Sequence, residues 1–124
     1  MINIQCLTID CHNPLELAEF WAEALNWSLG DGASDNEAYI ERNLEPNNTD
    51  GYPDILFIKT PDKKNSKNRL HLDLRPENQQ EEVERLERIG ARQIEIGQSN
   101  DSDTTWIVMA DPEGNEFCVL KALG

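Results

Sequence analysis

Long apolar runs are missing from this chain of 124 residues. None approaches the roughly 20 residues that span a bilayer, and Met1-Ile2-Asn3-Ile4-Gln5 lacks the basic-then-apolar form of a secretion signal. Basic residues are scarce: 11 Lys and Arg against 24 Asp and Glu leave a formal net charge of -13. Such a chain repels phosphate backbones, which argues against nucleic-acid binding through a basic surface. The cysteines are few and odd in number, Cys6, Cys11 and Cys118, with no C-x-x-C pair. That argues against a disulfide framework and for a reducing, cytoplasmic setting. No Gly-rich phosphate loop and no Ser-His-Asp spacing occurs, so nucleotide binding and nucleophilic hydrolysis have no motif to rest on. What is there, 38% hydrophobic and 28% charged residues, is the composition of one globular domain with a genuine core.

Histidine occurs only twice, and one of the two sits in the most ordered pattern of the chain, Lys67-Asn68-Arg69-Leu70-His71-Leu72-Asp73-Leu74-Arg75. Leu70, Leu72 and Leu74 share one face, and Arg69, His71, Asp73 and Arg75 share the other. A period of two predicts a strand over Arg69–Leu74 with its leucines on a core. The polar face then either lines a cavity or is simply wet.

Taken in order, Ile2–Asp10 predicts a first strand whose apolar residues change phase from Ile2, Ile4 and Cys6 to Leu7 and Ile9. Apolar residues on both faces suggest a central strand. A helix follows, with Asn13 as N-cap, Pro14 at N1 and Glu16 at N3 in a capping-box arrangement. Leu17, Phe20, Trp21, Ala24 and Leu25 form its apolar stripe, and Asn26 is a left-handed stop. Trp27–Gly30, Ala38–Arg42 and Ile55–Thr60 read as strands, with a polar loop over Asn43–Pro53 of the length used for lids or ligand contacts. After a basic linker, Pro61–Lys67, the order repeats. The strand of His71 precedes a helix from about Asn78 to Ile89, stopped by Gly90. Strands then follow over Arg92–Ile96, Thr105–Ala110 and Glu116–Leu120, the last two joined by a tight turn, Asp111-Pro112-Glu113-Gly114-Asn115.

Both halves therefore read strand, helix, strand, strand, strand. Their helix stops, Asn26 and Gly90, lie about 64 residues apart, the period of an internal duplication. A duplicated βαβββ module resembles the vicinal oxygen chelate superfamily, the group of glyoxalases, bleomycin-resistance proteins and extradiol dioxygenases. The likeness is carried by D-C-x-N-P-x-x-L-A-x-F-W at the first helix and D-P-E-G-N-E-F before the last strand. It is nearest the glyoxalase-like domain branch through Ala18-Glu19-Phe20-Trp21, Lys67–Asp73 and Asp111–Val119. The resemblance implies an α+β domain over 1–124. Module one, about 1–62, and module two, about 67–124, would form a curved mixed sheet around a cavity, with the helices outside. It also implies a homodimer.

Metal enzymes of this superfamily place ligands in the first and last strands of each module. On those positions the chain offers Cys6 or a neighbour, Leu56 or Phe57, His71, and Cys118 where the metal enzymes have Glu. Only His71 matches, so no metal cofactor is expected, and any divalent ion would have to use His71. The thiols Cys6 and Cys118 read as small buried hydrophobes, or as donors to a softer metal.

His71 is the first candidate for site chemistry, with Asp73 near enough on the same face to orient its imidazole. The competing reading makes it a scaffold residue bonded to a neighbouring strand. Lys67 and Arg69 would draw an anionic ligand or pair with carboxylates, and Trp106 would stack on a flat ligand or join the core. Trp27 and Tyr39 are weaker candidates, His12 is expected to be exposed, and Glu116 is not at the ligand position. The expected ligand-binding set is thus His71, Arg69, Trp106, Cys118 and Cys6, with His71 and Asp73 as the candidates for catalysis. The leading expectation is a metal-independent protein that binds a small organic ligand in the concavity. The alternatives are a lyase, isomerase or dioxygenase with a metal at His71, and a dimeric interaction module with a filled concavity.

Overall fold

A computed structural model describes residues 1–42, 52–94 and 105–123. The chain divides into two compact units, Met1–Lys63 and Lys64–Gly124, each built on the same plan. Unit one contains β1 (Cys6–Cys11), α1 (Pro14–Leu25), β2 (Ser28–Leu29), β3 (Glu37–Glu41) and β4 (Asp54–Lys59). Unit two contains β5 (Asp73–Leu74), α2 (Gln79–Arg88), β6 (Arg92–Gln93), β7 (Trp106–Ala110) and β8 (Glu116–Leu120). The sheets run β1-β4-β3-β2 and β5-β8-β7-β6, each an open mixed sheet in which a parallel pair joins the first and last described strands. This is the duplicated βαβββ, α+β architecture that the order of elements implies.

In unit one the pleat sorts the side chains. Leu7, Ile9, Ile40, Ile55 and Phe57 fall on one face, and Ile40, Ile55 and Phe57 are buried with Leu17, Ala18, Phe20 and Trp21 of α1. Phe20 and Trp21 meet edge to face with ring centres 5.2 Å apart. Cys6, Thr8, Tyr39 and Leu56 take the opposite face. The phase change expected in the first strand vanishes because Ile2 and Ile4 lie ahead of β1 and are exposed. Within β1 the alternation is regular, and the strand ends the sheet order rather than standing at its centre. Asn13 is the N-cap of α1, but its side chain makes no capping bond to the first turn. The first turn still suits Pro14, whose missing N–H needs no acceptor there. Asn26 adopts the left-handed conformation expected of it, φ 58°.

Unit two repeats the scheme. Met109, Phe117 and Val119 are buried with Val83 and Leu86 of α2. Asn78 caps α2 by accepting the N–H of Glu81 at 3.0 Å, and Gln79 Nε2 donates to the carbonyl of Val119 at 2.9 Å, tying the helix start to β8. The β7–β8 turn is organised by Asp111, whose carboxylate accepts from the N–H groups of Glu113 and Asn115, both at 2.9 Å, and from Asn115 Nδ2. Gly114 supplies the positive φ, 88°, that closes the turn onto the Asp111 carbonyl.

The strand that carries His71 is shorter than its alternation predicts. Pairing to β8 covers only Asp73–Leu74, preceded by one bond from the Cys118 N–H to the Leu72 carbonyl. The reason is Asn68. Its side chain accepts the Glu116 N–H at 2.9 Å and donates to the Glu116 carbonyl at 3.4 Å, occupying the main-chain groups that a longer ladder would use. Leu70, predicted to face the core, is 71% exposed. Most of the polar loop over Asn43–Pro53, and the end of the strand over Arg92–Ile96, lie outside the described residues.

Candidate functional site

Register places the site. Cross-strand partners Trp106 and Leu120, Val108 and Cys118, and Ala110 and Glu116 lie on the sheet face opposite Met109, Phe117 and Val119. Asp73 lies directly beside Cys118 on the adjoining parallel strand, and His71 is two residues earlier on the same side. The result is a cavity of about 660 Å³ within unit two. Trp106, Val108 and Leu120 supply its apolar wall, and Lys67, His71, Asp73, Glu116 and Cys118 its polar wall.

Three of the polar groups converge. His71 Nε2 lies 3.2 Å from Asp73 Oδ1, and one donor atom each from His71, Asp73 and Cys118 falls within 4.8 Å of the others. Burial pushes the Cys118 thiol above its ordinary value, and the neighbouring Asp73 carboxylate adds to this by charge and by accepting the thiol's hydrogen bond. Lys67 acts in the opposite sense. A thiol held protonated in this way is a weak nucleophile. Glu116 behaves differently. Desolvation pushes its carboxyl up, but Lys64, 3.0 Å away, together with main-chain N–H donors, outweighs that and holds it below the ordinary range.

Of the residues singled out from sequence, the structure thus brings His71, Asp73, Cys118 and Trp106 together, with Lys67 beside them. Arg69 is exposed and does not line this cavity, and Cys6 belongs to β1 of unit one. Tyr39 packs its ring against Gly30, where a Cβ would fall 2.1 Å from its Cζ. His12, expected to be exposed, is partly buried. Leu56 shares the sheet face of Cys6 and Thr8 and has no donor atom, whereas Phe57 lies on the opposite face. Asp73, a sequence candidate for catalysis through its place two residues from His71 on one strand face, does line the cavity with it. Asn68 carried no signal, because an amide that imitates a strand cannot be told from a linker polar residue.

A family model for the glyoxalase-like domain matches residues 6–120. The chain belongs to the glyoxalase-like domain family. This places it in the vicinal oxygen chelate superfamily, and solved structures carry the same fold. A glyoxalase/bleomycin resistance protein/dioxygenase family enzyme from Burkholderia phytofirmans superposes with a TM-score of 0.68 at 15% identity, covering 98% of this chain and 100% of its own. The fosfomycin resistance protein FosX of Listeria monocytogenes, in complex with Mn(II) and 1S,2S-dihydroxypropylphosphonic acid, gives 0.68 at 13% identity, over 99% of this chain and 93% of its own. Glyoxalase I of Leishmania major gives 0.62 at 12% identity, over 98% and 87% respectively. At these identities the likeness is one of fold. A search of the curated proteins finds no match.

The donor set of this family member does not fit a hard ion such as the Mn(II) of the FosX complex. Manganese and magnesium favour carboxylate, carbonyl and water oxygens. Here the convergent donors are one imidazole, one carboxylate and one thiol, those of His71, Asp73 and Cys118.

Proposed function

We propose that this glyoxalase-like protein binds a small organic molecule in the cavity of unit two. The observation that carries the reading is one sheet face with two characters. Trp106, Val108 and Leu120 offer an apolar bed, and Lys67 and His71 stand at its edge as polar anchors. A small organic ligand suits a concave, mainly apolar site with a few placed polar groups. The dihydroxypropylphosphonic acid held by FosX supports the same use of this fold. An open cavity also disfavours the interaction module, which needs the concavity filled. The lyase, isomerase or dioxygenase reading gains support from the convergence of His71 with Asp73 and Cys118. A homodimer in a reducing, cytoplasmic setting accords with the resemblance and with three free thiols.

The test is a thermal-shift screen of small phosphonates, carboxylates and aromatic compounds, repeated on Trp106→Ala. A ligand at one hundred times its Kd stabilises the native state by about 2.7 kcal/mol. Shifts seen in the wild type and lost in Trp106→Ala are expected. Shifts that survive that substitution unchanged would move the binding site elsewhere.

A further inference from the structure

We infer that the cavity of unit two takes an organic anion, its acidic head on Lys67 and its flat apolar body on Trp106, and that Asn68 sets this preference by holding Lys67 at the rim. The inference rests on the ligand site proposed above and names the class of molecule it takes.

Charge pairing in the wall decides the sign. Two carboxylates, those of Asp73 and Glu116, line the cavity, and both are engaged. Glu116 lies 3.0 Å from Lys64 Nζ. Asp73 lies 3.2 Å from His71 Nε2 and accepts the hydrogen bond of the Cys118 thiol. Lys67 is left as a lining cation with no ion pair among the described residues. The chain as a whole carries a net charge of -13. Its field is screened beyond about 8 Å at physiological ionic strength, so the charges nearest the cavity govern a head group. Those are concentrated here: Lys63, Lys64, Lys67 and Arg69 crowd one short stretch of a chain that has 11 Lys and Arg in all.

The same sheet face supplies the bed for the body. Trp106 and Leu120 are register partners, and Val108 follows on the same side. Trp106 keeps 37% of its surface exposed, which leaves ring area for a flat ligand to cover. Asn68 does not line the cavity and acts through its neighbour. Its Oδ1 accepts the Glu116 N–H at 2.9 Å and its Nδ2 donates to the Glu116 carbonyl at 3.4 Å. The main chain next to Lys67 is thereby fastened to β8. A lysine on an untethered segment would have to be ordered on binding, and the tether removes much of that cost. Asn68 is a positioning residue.

Two dyes that share a ring system separate head from body: anilinonaphthalene sulfonate and its neutral counterpart, phenylnaphthylamine. Fluorescence titration of the full chain should show the sulfonate bound at one site per chain, about tenfold tighter than the neutral dye, the low end for a hydrogen bond to a charged group. Lys67→Met should erase that difference by weakening the sulfonate alone. Asn68→Ala should also weaken the sulfonate alone, with the far-UV circular dichroism unchanged, an effect that a general loosening of the fold would not produce. Trp106→Ala should weaken both dyes. No binding of the sulfonate by the wild type overturns the inference, as does equal or tighter binding of the neutral dye; if Trp106→Ala still weakens the neutral dye, the cavity stands as a ligand site and only the anion class falls. Binding of both dyes that Trp106→Ala leaves unchanged overturns the ligand site itself. A preference that Lys67→Met erases but Asn68→Ala leaves intact, or an Asn68→Ala variant that loses both dyes equally, overturns the positioning role.

Discussion

Asp111 is the residue whose replacement tests the architecture of unit two most directly. Its carboxylate is 1% exposed and gathers the Glu113 N–H, the Asn115 N–H and the Asn115 side-chain amide. Asp111→Ala removes all three bonds at once. Hydrogen bonds to a charged group contribute about 1.5–3 kcal/mol each, but the freed turn amides regain water once the turn loosens, so the net loss should be about 3–4 kcal/mol. Asp111→Asn keeps the shape and one acceptor oxygen for the two main-chain donors. The contact with the Asn115 amide is put in conflict, and that amide can turn over to present its oxygen. A loss of about 1 kcal/mol is expected for this variant, one hydrogen bond's worth. Urea unfolding followed by far-UV circular dichroism measures both, with the slope of the transition unchanged if only the native state is affected. If Asp111→Ala came within 1 kcal/mol of the wild type, or the two variants were equally destabilised, the turn would not be held as described.

Two further outcomes follow from packing and charge. Gly30→Ala places a methyl group 2.1 Å from the Tyr39 ring, and overpacking of this kind costs about 1–3 kcal/mol in urea unfolding; Tyr39→Ala in the same chain should relieve the clash. Lys64→Met removes the partner that holds the Glu116 carboxyl below its ordinary value. Glu116 therefore adds stability above the unfolded carboxylate value, and loses it as pH falls through its lower folded value. The variant should be less stable than the wild type by about 0.5–1 kcal/mol at pH 7, with the gap closing in acid. A gap that stays constant down to acid pH would refute the pairing.

Elements with a period and a stop were legible from sequence. Leu17, Phe20 and Trp21 recur at helical spacing and do lie in the core, and Asn26 ends α1 in the left-handed conformation that an Asn tolerates. The Asp-Pro-Glu-Gly-Asn turn was legible because Pro and Gly leave few alternatives there. The extent of the His71 strand was not. Alternation reports which side chains share a face, whereas strand length depends on which main-chain groups of β8 are already taken, and Asn68 takes two of them. For the same reason the site was only half visible. The face shared by His71 and Asp73 can be read from spacing two residues apart, but the register that sets Cys118 beside Asp73 joins residues 45 positions apart in the chain.

The substitution of a side-chain amide for a length of ladder also bears on how this protein can change. Asn68 fastens the segment at one end and the Leu72 carbonyl at the other, both to β8, so Arg69, Leu70 and His71 span two anchors without belonging to the sheet. Replacements at these three positions do not disturb strand pairing, and away from a packed core they cost within about 0.5 kcal/mol. The segment is a replaceable cartridge in a fixed mount. New charges at position 69 or new donors at position 71 can be tried, by selection or by design, while the fold that presents them stays the same.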